Sequence, residues 1–524
     1  MELQFTAIDW TIFALYGLVL AVSGWLFSRQ GASNSRDYFL AKNSMPMWMV
    51  AISTLATTQS AATFLGGPDL GYRGDLTYLF TNLGALIAAG VVARFLIPRF
   101  YAQEVTTVYE LLQSRFGSAA KNQAGGMYLL GRVFASGARL YMAAIAVSMI
   151  IFNDIDAGHV VLAILLLTAA GLVQTFIGGV RSVIQSDVLQ CAVYLAAAFS
   201  VVAVLLWQIP ADLPTILATL DSPGADQASK LELVDFSFSW GDPFTVWATF
   251  TGFVLLNIAA FGMDQDVTQR LLTCRNAREG ARAMTLSIVM VAPIMAVFMG
   301  IGLLLYLFYQ HPELMGGTVM EQPAGGDVTV FMHYVLHEMP AGLRGLVTVG
   351  VIAAALSTLN SSLNSMASVL TEDIYRPWLD CRGIKRPAAH FVTAGRMAMF
   401  LIGLVLSAMA ILCYFWQQIS DLPLLTFALS VMVFAYSGLL GVFFTAIFTG
   451  RGNGASVTAA LIAGFLVTLA QQPWMIGLIT GEENPVSVAF PWQLCLGTLV
   501  SLTICCLGKP AAQTADSGLA GARA

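Results

Sequence analysis

The sequence predicts an all-α integral membrane protein with about thirteen transmembrane helices. Hydrophobic residues make up 57% of the 524 residues and charged residues only 10%, against roughly 25% charged in an average soluble domain. So few charges cannot cover a water-soluble surface. Mean hydropathy is +0.75, and apolar runs of about 20 residues, each able to cross about 30 Å of hydrocarbon, recur throughout the chain. A soluble globular protein, a disordered chain and a disulfide scaffold are therefore excluded.

The predicted spans follow the apolar runs in order. They are residues 8–28, 46–67, 77–98, 126–152, 158–177, 183–207, 243–264, 283–309, 341–371, 392–414, 422–448, 454–472 and 487–507. The first run is expected to remain as a helix and not to be a cleaved signal, because acidic residues and no basic ones stand at its start.

Lys and Arg are distributed unequally between the alternate short loops. One set of loops carries nineteen of them and the other three, with three more inside the predicted helices. The positive-inside rule then predicts an external N-terminus and a cytoplasmic C-terminus in the plasma (inner) membrane. The net charge of −5 gives no basic surface for a nucleic acid.

The second span carries a cluster of polar side chains in its middle. They are Thr57, Thr58, Gln59, Ser60 and Thr63. Such a segment is a poor lipid-facing helix, and it suits a helix that unwinds at the bilayer midplane and offers backbone carbonyls to a cation. Helix packing through small polar residues is the alternative interpretation.

The ninth span places small and hydroxyl residues on one helical face. Ala354, Ser357, Thr358, Ser361 and Ser365 follow the helical spacing. Hydroxyl oxygens are hard, neutral ligands that suit Na⁺ better than a transition metal. A stripe of small residues for helix packing is again the alternative.

Asp187 lies a few residues inside the cytoplasmic end of the sixth span. A carboxylate inside a membrane span marks a functional site by default and needs a cation beside it. The sequence leaves two partners open, a bound cation and the nearby Arg181.

Two arginines lie in the fourth span. Arg132 can extend to the inner interface, whereas Arg139 lies near the centre and needs an anion. A protein carboxylate or an anionic ligand can fill that role, and both remain open. Asp264 and Asp266 are candidates for the carboxylate, although they are expected nearer the cytoplasm.

Five segments, in order and at consistent spacing, resemble the sodium/solute symporter family. They are residues 38–46, 55–66 followed by Gly71 and Tyr72, 178–190, 264–270, and 353–365 closed by 371–375. The resemblance covers about residues 38–448. It implies Na⁺-coupled secondary active symport of a small organic solute into the cell by alternating access, with no enzymatic activity and no organic cofactor. It also implies a chain that functions as a monomer in the lipid bilayer.

The resemblance further implies a LeuT-like core of two inverted five-helix repeats, with one leading and two trailing helices. The expected segments are a leading helix and first cytoplasmic loop (1–37), the first repeat (38–207), an external loop (208–242), the second repeat (243–448), two trailing helices (449–507) and a cytoplasmic tail (508–524).

Three sites follow from matching the family pattern residue by residue. The principal Na⁺ site would use carbonyls of Ala56, Gln59 and Ala354 and hydroxyls of Ser357 and Thr358. A second Na⁺ site would use Asp187, Asn360 and Ser361, with Asn360 standing where the family has serine. The substrate site would include Ser60, Thr63, Asn82, Arg139, Asp264 and Tyr436.

The solute itself is not specified by the sequence. Ser60, Thr63 and Arg139 resemble positions that favour a carboxylate-bearing solute, such as an amino acid, a sugar acid or a monocarboxylate. A neutral sugar or polyol is the alternative solute. A channel or a sensor module on the same fold is the alternative activity.

Overall fold

The computed structural model describes residues 5–28, 35–176, 179–224, 228–315, 330–420, 424–481 and 487–509. Within these ranges the chain is helical and forms no β-strand, with one isolated bridge between Asp235 and Thr245. The predicted tail beyond residue 509 and Gly178 of the 178–190 segment lie outside the described residues.

The first half of the chain contains twelve α-helices. They are α1 (Ala7–Ser28), α2 (Ser35–Leu40), α3 (Met47–Thr58), α4 (Ala61–Arg73), α5 (Thr77–Phe80), α6 (Asn82–Val91), α7 (Ile97–Ala102), α8 (Glu110–Phe116), α9 (Ser118–Phe152), α10 (Ala157–Thr175), α11 (Gly179–Gln208) and α12 (Leu213–Asp221). A π-helical turn, Val92–Leu96, joins α6 to α7.

The second half contains another twelve. They are α13 (Val246–Ala248), α14 (Val254–Gly262), α15 (Gln265–Leu271), α16 (Ala277–Gln310), α17 (Val330–His337), α18 (Leu343–Val369), α19 (Arg376–Cys381), α20 (Ala388–Ser420), α21 (Leu424–Phe448), α22 (Gly454–Ala470), α23 (Pro473–Thr480) and α24 (Phe490–Leu507). π-helical turns join α13 to α14 (Thr249–Phe253) and α18 to α19 (Leu370–Tyr375).

Every predicted span overlaps a helix or a broken helix, which confirms the all-α membrane class. Nine stretches of the described chain are long and apolar enough to cross a membrane, and two bent pairs, α13–α14 with α15 and α22 with α23, raise the number to eleven. The apolar part of α1 and the whole of α3 are shorter than these membrane-spanning stretches. The count of thirteen crossings therefore stays a prediction.

The second and seventh spans are both interrupted. After α3, Gln59 and Ser60 leave the helical conformation (ψ 91° and −177°), and α4 begins at Ala61. After α14, Asp264 is extended (ψ 118°) and α15 begins at Gln265, bent by 58° from the preceding helix. The predicted unwinding of the second span is confirmed.

The residue at each break explains why a new helix begins there. Ser60 Oγ accepts a hydrogen bond from the backbone N–H of Ala62 (3.1 Å), and Asp264 accepts one from Asp266 (2.9 Å). Serine and aspartate are among the best residues for this capping role. The two breaks lie five predicted spans apart, as two five-helix repeats require.

α18 lies at the centre of the molecule and carries the hydroxyl face predicted from the sequence. It contacts α1, α9, α10, α11 and α20, and the span that it opens is 89% buried. A helix enclosed by so many neighbours can carry polar residues because other helices, and not lipid, surround them. Its position beside α3 sets up the candidate ion site.

Candidate functional site

The predicted principal Na⁺ site lies where the end of α3 meets α18. α3 ends at Thr58, so the carbonyl of Ala56 has no helical partner four residues later, because Ser60 is outside the helix. The two helices touch directly, with Thr57 Oγ1 3.3 Å from Ser361 Oγ. Carbonyls freed by the break therefore lie on the helix that faces the hydroxyls of α18.

The two predicted hydroxyl ligands direct their protons away from each other. Ser357 Oγ donates to Asp187 Oδ1 (2.6 Å), and Thr358 Oγ1 donates to the carbonyl of Ala354 (3.2 Å). A hydroxyl that has placed its proton in this way keeps oxygen lone pairs for a cation. This geometry suits hard, neutral oxygen ligation of Na⁺.

Asp187 is fully buried, and its ion-pair partner is Arg270 and not Arg181, one of the two partners that the sequence left open. Arg270 Nη2 lies 3.3 Å from Asp187 Oδ2, and Ser53 Oγ donates to the same oxygen (2.5 Å). Arg181 donates instead to Ser44 Oγ (2.8 Å). Because both groups are buried, removal of either one would leave an uncompensated charge in the interior.

The predicted second Na⁺ site is only partly assembled. Ser361 lies close to Asp187, because the Arg270 guanidinium contacts both side chains. Asn360 faces α10, where its Nδ2 donates to Gln174 Oε1 (2.7 Å). One of the three predicted ligands is therefore turned away from the carboxylate, and a guanidinium lies beside the other two.

A cavity lies between α6, α9, α14, α16 and α21. It has a volume of about 120 Å³, below the range of about 300–1,000 Å³ typical of small-molecule sites. Its lining includes four of the predicted substrate residues, Asn82, Arg139, Asp264 and Tyr436, together with Thr58, Gln59, Tyr78 and Asn257. The structure thus brings most of the predicted substrate site together around one cavity.

Ser60 and Thr63 do not line this cavity. Ser60 lines a much smaller cavity with Ser136, Thr358 and Arg139, and Thr63 lines neither. Arg139 lines both cavities, and Thr358 of the predicted principal ion site lines the smaller one.

For Arg139 the sequence left two partners open, a protein carboxylate and an anionic ligand. Its only hydrogen bond among the described residues runs from Nη2 to Met432 Sδ (3.5 Å). Within that part of the chain, no carboxylate oxygen lies within ion-pair distance of it. A half-buried guanidinium therefore lines the cavity without an ion pair to a described carboxylate, since Asp264 in the same wall pairs with Arg132.

Arg132 behaves differently from the expectation that it reaches the inner interface. It is buried and pairs with Asp264 (3.0 Å) and with Asp266. Asp264 lies at the break in the seventh span and lines the cavity, while the expectation that the two aspartates lie nearer the cytoplasm stays a prediction. Tyr436 donates to the same carboxylate (2.5 Å).

Four buried ion pairs share residues and form one connected set, which we call the break cluster. Its members are Arg132, Asp187, Asp264, Asp266 and Arg270. Sequence reasoning missed the roles of Arg270 and Ser53. Two signals were available, since Asp266 and Arg270 have the i, i+4 spacing of a helical ion pair and Ser53 lies one turn before Thr57 on the polar side of α3.

Comparisons with known proteins agree with this geometry. The model of the Sodium:solute symporter family matches residues 38–464. The sodium/sialic acid symporter NanT of Aliivibrio fischeri is 29% identical over 466 residues, covering 87% of this chain and 86% of the relative. The human sodium/iodide cotransporter is 26% identical over 474 residues, covering 89% and 69%.

A solved structure supports the fold independently. A Na⁺-coupled sialic acid symporter in a substrate-bound outward-open state superposes with a TM-score of 0.80 at 24% identity, covering 97% of this chain and 100% of that one. With a family model matching most of the residues, the chain belongs to the sodium:solute symporter family and is a Na⁺-coupled membrane symporter, not an enzyme.

Proposed function

We propose that the chain couples Na⁺ at the principal site to the uptake of a small organic solute that carries a carboxylate. The observation that carries the proposal is Arg139, a guanidinium at the cavity wall without a protein carboxylate beside it among the described residues. An unpaired cation inside a membrane protein costs at least about 2.5–3.5 kcal/mol on insertion scales. A solute carboxylate would remove that cost.

The rest of the cavity suits the body of an organic solute. Asn82, Asn257 and Thr58 offer hydrogen-bonding groups, while Phe253 and Leu256 offer apolar surface. The relatives support a negative solute, since one is named for sialic acid and the other for iodide. A carboxylate is favoured here because a guanidinium binds it through two parallel hydrogen bonds.

We propose that Na⁺ binds to the carbonyls of Ala56, Gln59 and Ala354 and to the hydroxyls of Ser357 and Thr358. Bound there, it would hold the end of α3 against α18 and fix the shape of the break next to Arg139. The solute would then bind that shape more tightly, and Na⁺ and solute would raise each other's affinity by the same factor.

One Na⁺ per cycle is enough for accumulation. An ion moving down 100 mV releases about 2.3 kcal/mol, and a tenfold gradient adds about 1.4 kcal/mol. Together these support accumulation on the order of several hundredfold for a solute with no net charge, such as a zwitterionic amino acid. A monoanion that enters with one Na⁺ moves no net charge, so the Na⁺ gradient alone would support about tenfold accumulation. A second Na⁺ at Asp187 and Ser361 would require Arg270 to move away, and we propose that transport proceeds without it.

The proposed orientation keeps the N-terminus outside and the C-terminus in the cytoplasm, on the strength of the Lys and Arg distribution. One copy of the chain is proposed to suffice for transport, as the resemblance to the family implies.

A thermal-shift screen tests the proposed solute class. Purified protein would be heated with amino acids, sugar acids including sialic acid, monocarboxylates and neutral sugars, each in Na⁺ and in K⁺. We expect a rise in melting temperature with one class of carboxylate, in Na⁺ only. A Na⁺-dependent shift with neutral sugars and none with carboxylates would overturn the proposal in favour of a sugar or polyol symporter.

A further inference from the structure

The loop between α12 and α13 contains an alternating aromatic segment, residues 235–240 (Asp-Phe-Ser-Phe-Ser-Trp). We call it the aromatic segment. Its three aromatic side chains remain exposed, with Phe236 at 75%, Phe238 at 58% and Trp240 at 48%. Single exposed apolar residues are ordinary, but a contiguous group of large ones marks an interaction surface.

The aromatic segment is held firmly by its backbone. The carbonyl of Phe236 accepts from the indole N–H of Trp247 (3.2 Å), and that of Ser239 accepts from Trp492 (3.1 Å). The carbonyl of Trp240 accepts from the backbone N–H of Ala489 (2.7 Å). The exposure of the rings is therefore built into a fixed structure and does not come from a loose loop.

The residues that hold the segment stand at the starts of two apolar helices. Trp247 is in the first turn of α13, and Trp492 is in the first turn of α24. The first turn of a membrane span lies at the boundary between lipid and water, where tryptophan and other aromatic residues are enriched. The two spans thus place the aromatic segment at that depth.

The exposed rings continue the lipid-facing surfaces of these helices. Phe238 and Trp240 rest against the ring of Trp492, at 5.5 and 5.2 Å between centroids. Farther along, Phe250, Leu496 and Leu499 are also exposed, on the sides of the two spans. Exposed apolar side chains therefore lie both on the spans and on the loop that packs against the start of α24.

A polar residue between the rings forms hydrogen bonds within the loop. Ser237 N–H donates to Asp235 Oδ1 (2.7 Å) and its hydroxyl to Asp235 Oδ2 (2.9 Å). The segment thus alternates exposed aromatic residues with polar ones, a combination that suits a membrane interface.

We propose that the aromatic segment lies in the interfacial region of the bilayer and binds phospholipid beside α13 and α24. The partner is the lipid surface, because the segment continues the lipid-facing sides of two spans. The loop that carries it also reaches the end of α4, where Lys230 Nζ donates to the carbonyls of Tyr72 and Gly74 (both 2.9 Å). Lipid binding would thus fix the loop against the outer half of a broken span.

Photocrosslinking in liposomes tests this directly. The photoreactive p-benzoylphenylalanine would be introduced at Phe236 or Phe238 in the full chain, reconstituted in phosphatidylcholine and phosphatidylglycerol. After irradiation, mass spectrometry of the protein is expected to show adducts of one phospholipid at both positions. The substituted side chains are exposed, so folding is not at risk.

Two controls make the result decisive. Leu499, exposed on α24, should give the same adduct, whereas Ser237, a polar residue between the two rings that donates to Asp235, should give none. Equal lipid labelling at Ser237, or no adduct at Phe236 and Phe238 while Leu499 reacts, would overturn the proposal. Covalent dimers in place of lipid adducts would show that a second copy covers the surface and would overturn it as well.

Discussion

Replacing Arg139 with lysine tests the proposed contact with the solute carboxylate. Lysine keeps the positive charge but binds as a point charge, so it cannot form the two parallel hydrogen bonds of a guanidinium. A hydrogen bond to a charged group contributes about 1.5–3 kcal/mol. Loss of one such bond should weaken solute binding about ten- to hundredfold, while Na⁺ binding at the principal site persists.

A stronger change at the same position removes the charge. Arg139→Gln would leave a buried solute carboxylate without a cation, a loss of about 2–5 kcal/mol. Since no protein carboxylate pairs with Arg139 among the described residues, this variant should keep its fold while losing transport. A structural ion pair would predict the opposite, a clear loss of stability.

The assay is Na⁺-driven uptake into proteoliposomes of the acid that the thermal-shift screen identifies, with sialic acid as the first probe. Competition by the free acid and by its amide is measured in parallel. Arg94, an exposed arginine outside the cavity, provides the matched control Arg94→Lys. Normal uptake by Arg139→Lys, together with competition by neutral sugars, would refute the reasoning.

The remaining predictions concern the ion sites and the loop. Ser357→Ala removes an oxygen of the proposed principal site and should raise the Na⁺ concentration for half-maximal uptake about tenfold or more. The control Ser368→Ala, on the same helix, should leave that concentration unchanged. Equal Na⁺ dependence in the two variants would contradict the principal site. The Na⁺ Hill coefficient of uptake should be one, because Arg270 already pairs with Asp187, and a coefficient near two that Asp187→Asn reduces would show a second site. Burial lowers the pKa of Lys230 from 10.5 to about 8, against the opposing effect of the Asp75 charge. The unfolded chain then binds more protons between these values, so stability should rise with pH from about 8 towards 10.5; the melting temperature of Lys230→Met, measured over the same pH range, should lack this rise.

The sequence predicted the fold and the first break, and the reason is local. Polar residues in the middle of an apolar run conflict with a lipid-facing helix, and that conflict is visible in the residues around Gln59. The number of crossings does not follow from the same local signal, because α3 and α4 are each too short to cross a membrane alone. Short helices on the two sides of a break have no simple hydropathy signal.

The partners of the buried charges could not be predicted from local pattern. Arg132 and Asp264 are 132 positions apart, and Arg270 and Asp187 are 83 apart. Which carboxylate meets which guanidinium depends on how four helices pack, and on the break that turns Asp264 towards the cavity. The cost of an unpaired buried charge requires some partner, but it does not say which one.

The formal charges around the two breaks give a physical reason for coupling. The break cluster contains three carboxylates and two guanidiniums, a formal charge of −1, and Arg139 adds +1. The empty site is therefore neutral, Na⁺ alone would leave it positive, and a carboxylate alone would leave it negative. Net charge is costly in a buried site, so each ligand lowers the cost of binding the other.

The Ser357 hydroxyl contacts Asp187 and Arg139 lines both cavities, so the ion and the solute would bind next to the same charges. A neutral solute could not restore neutrality in this way, which is why the structure favours a carboxylate as the partner of Na⁺.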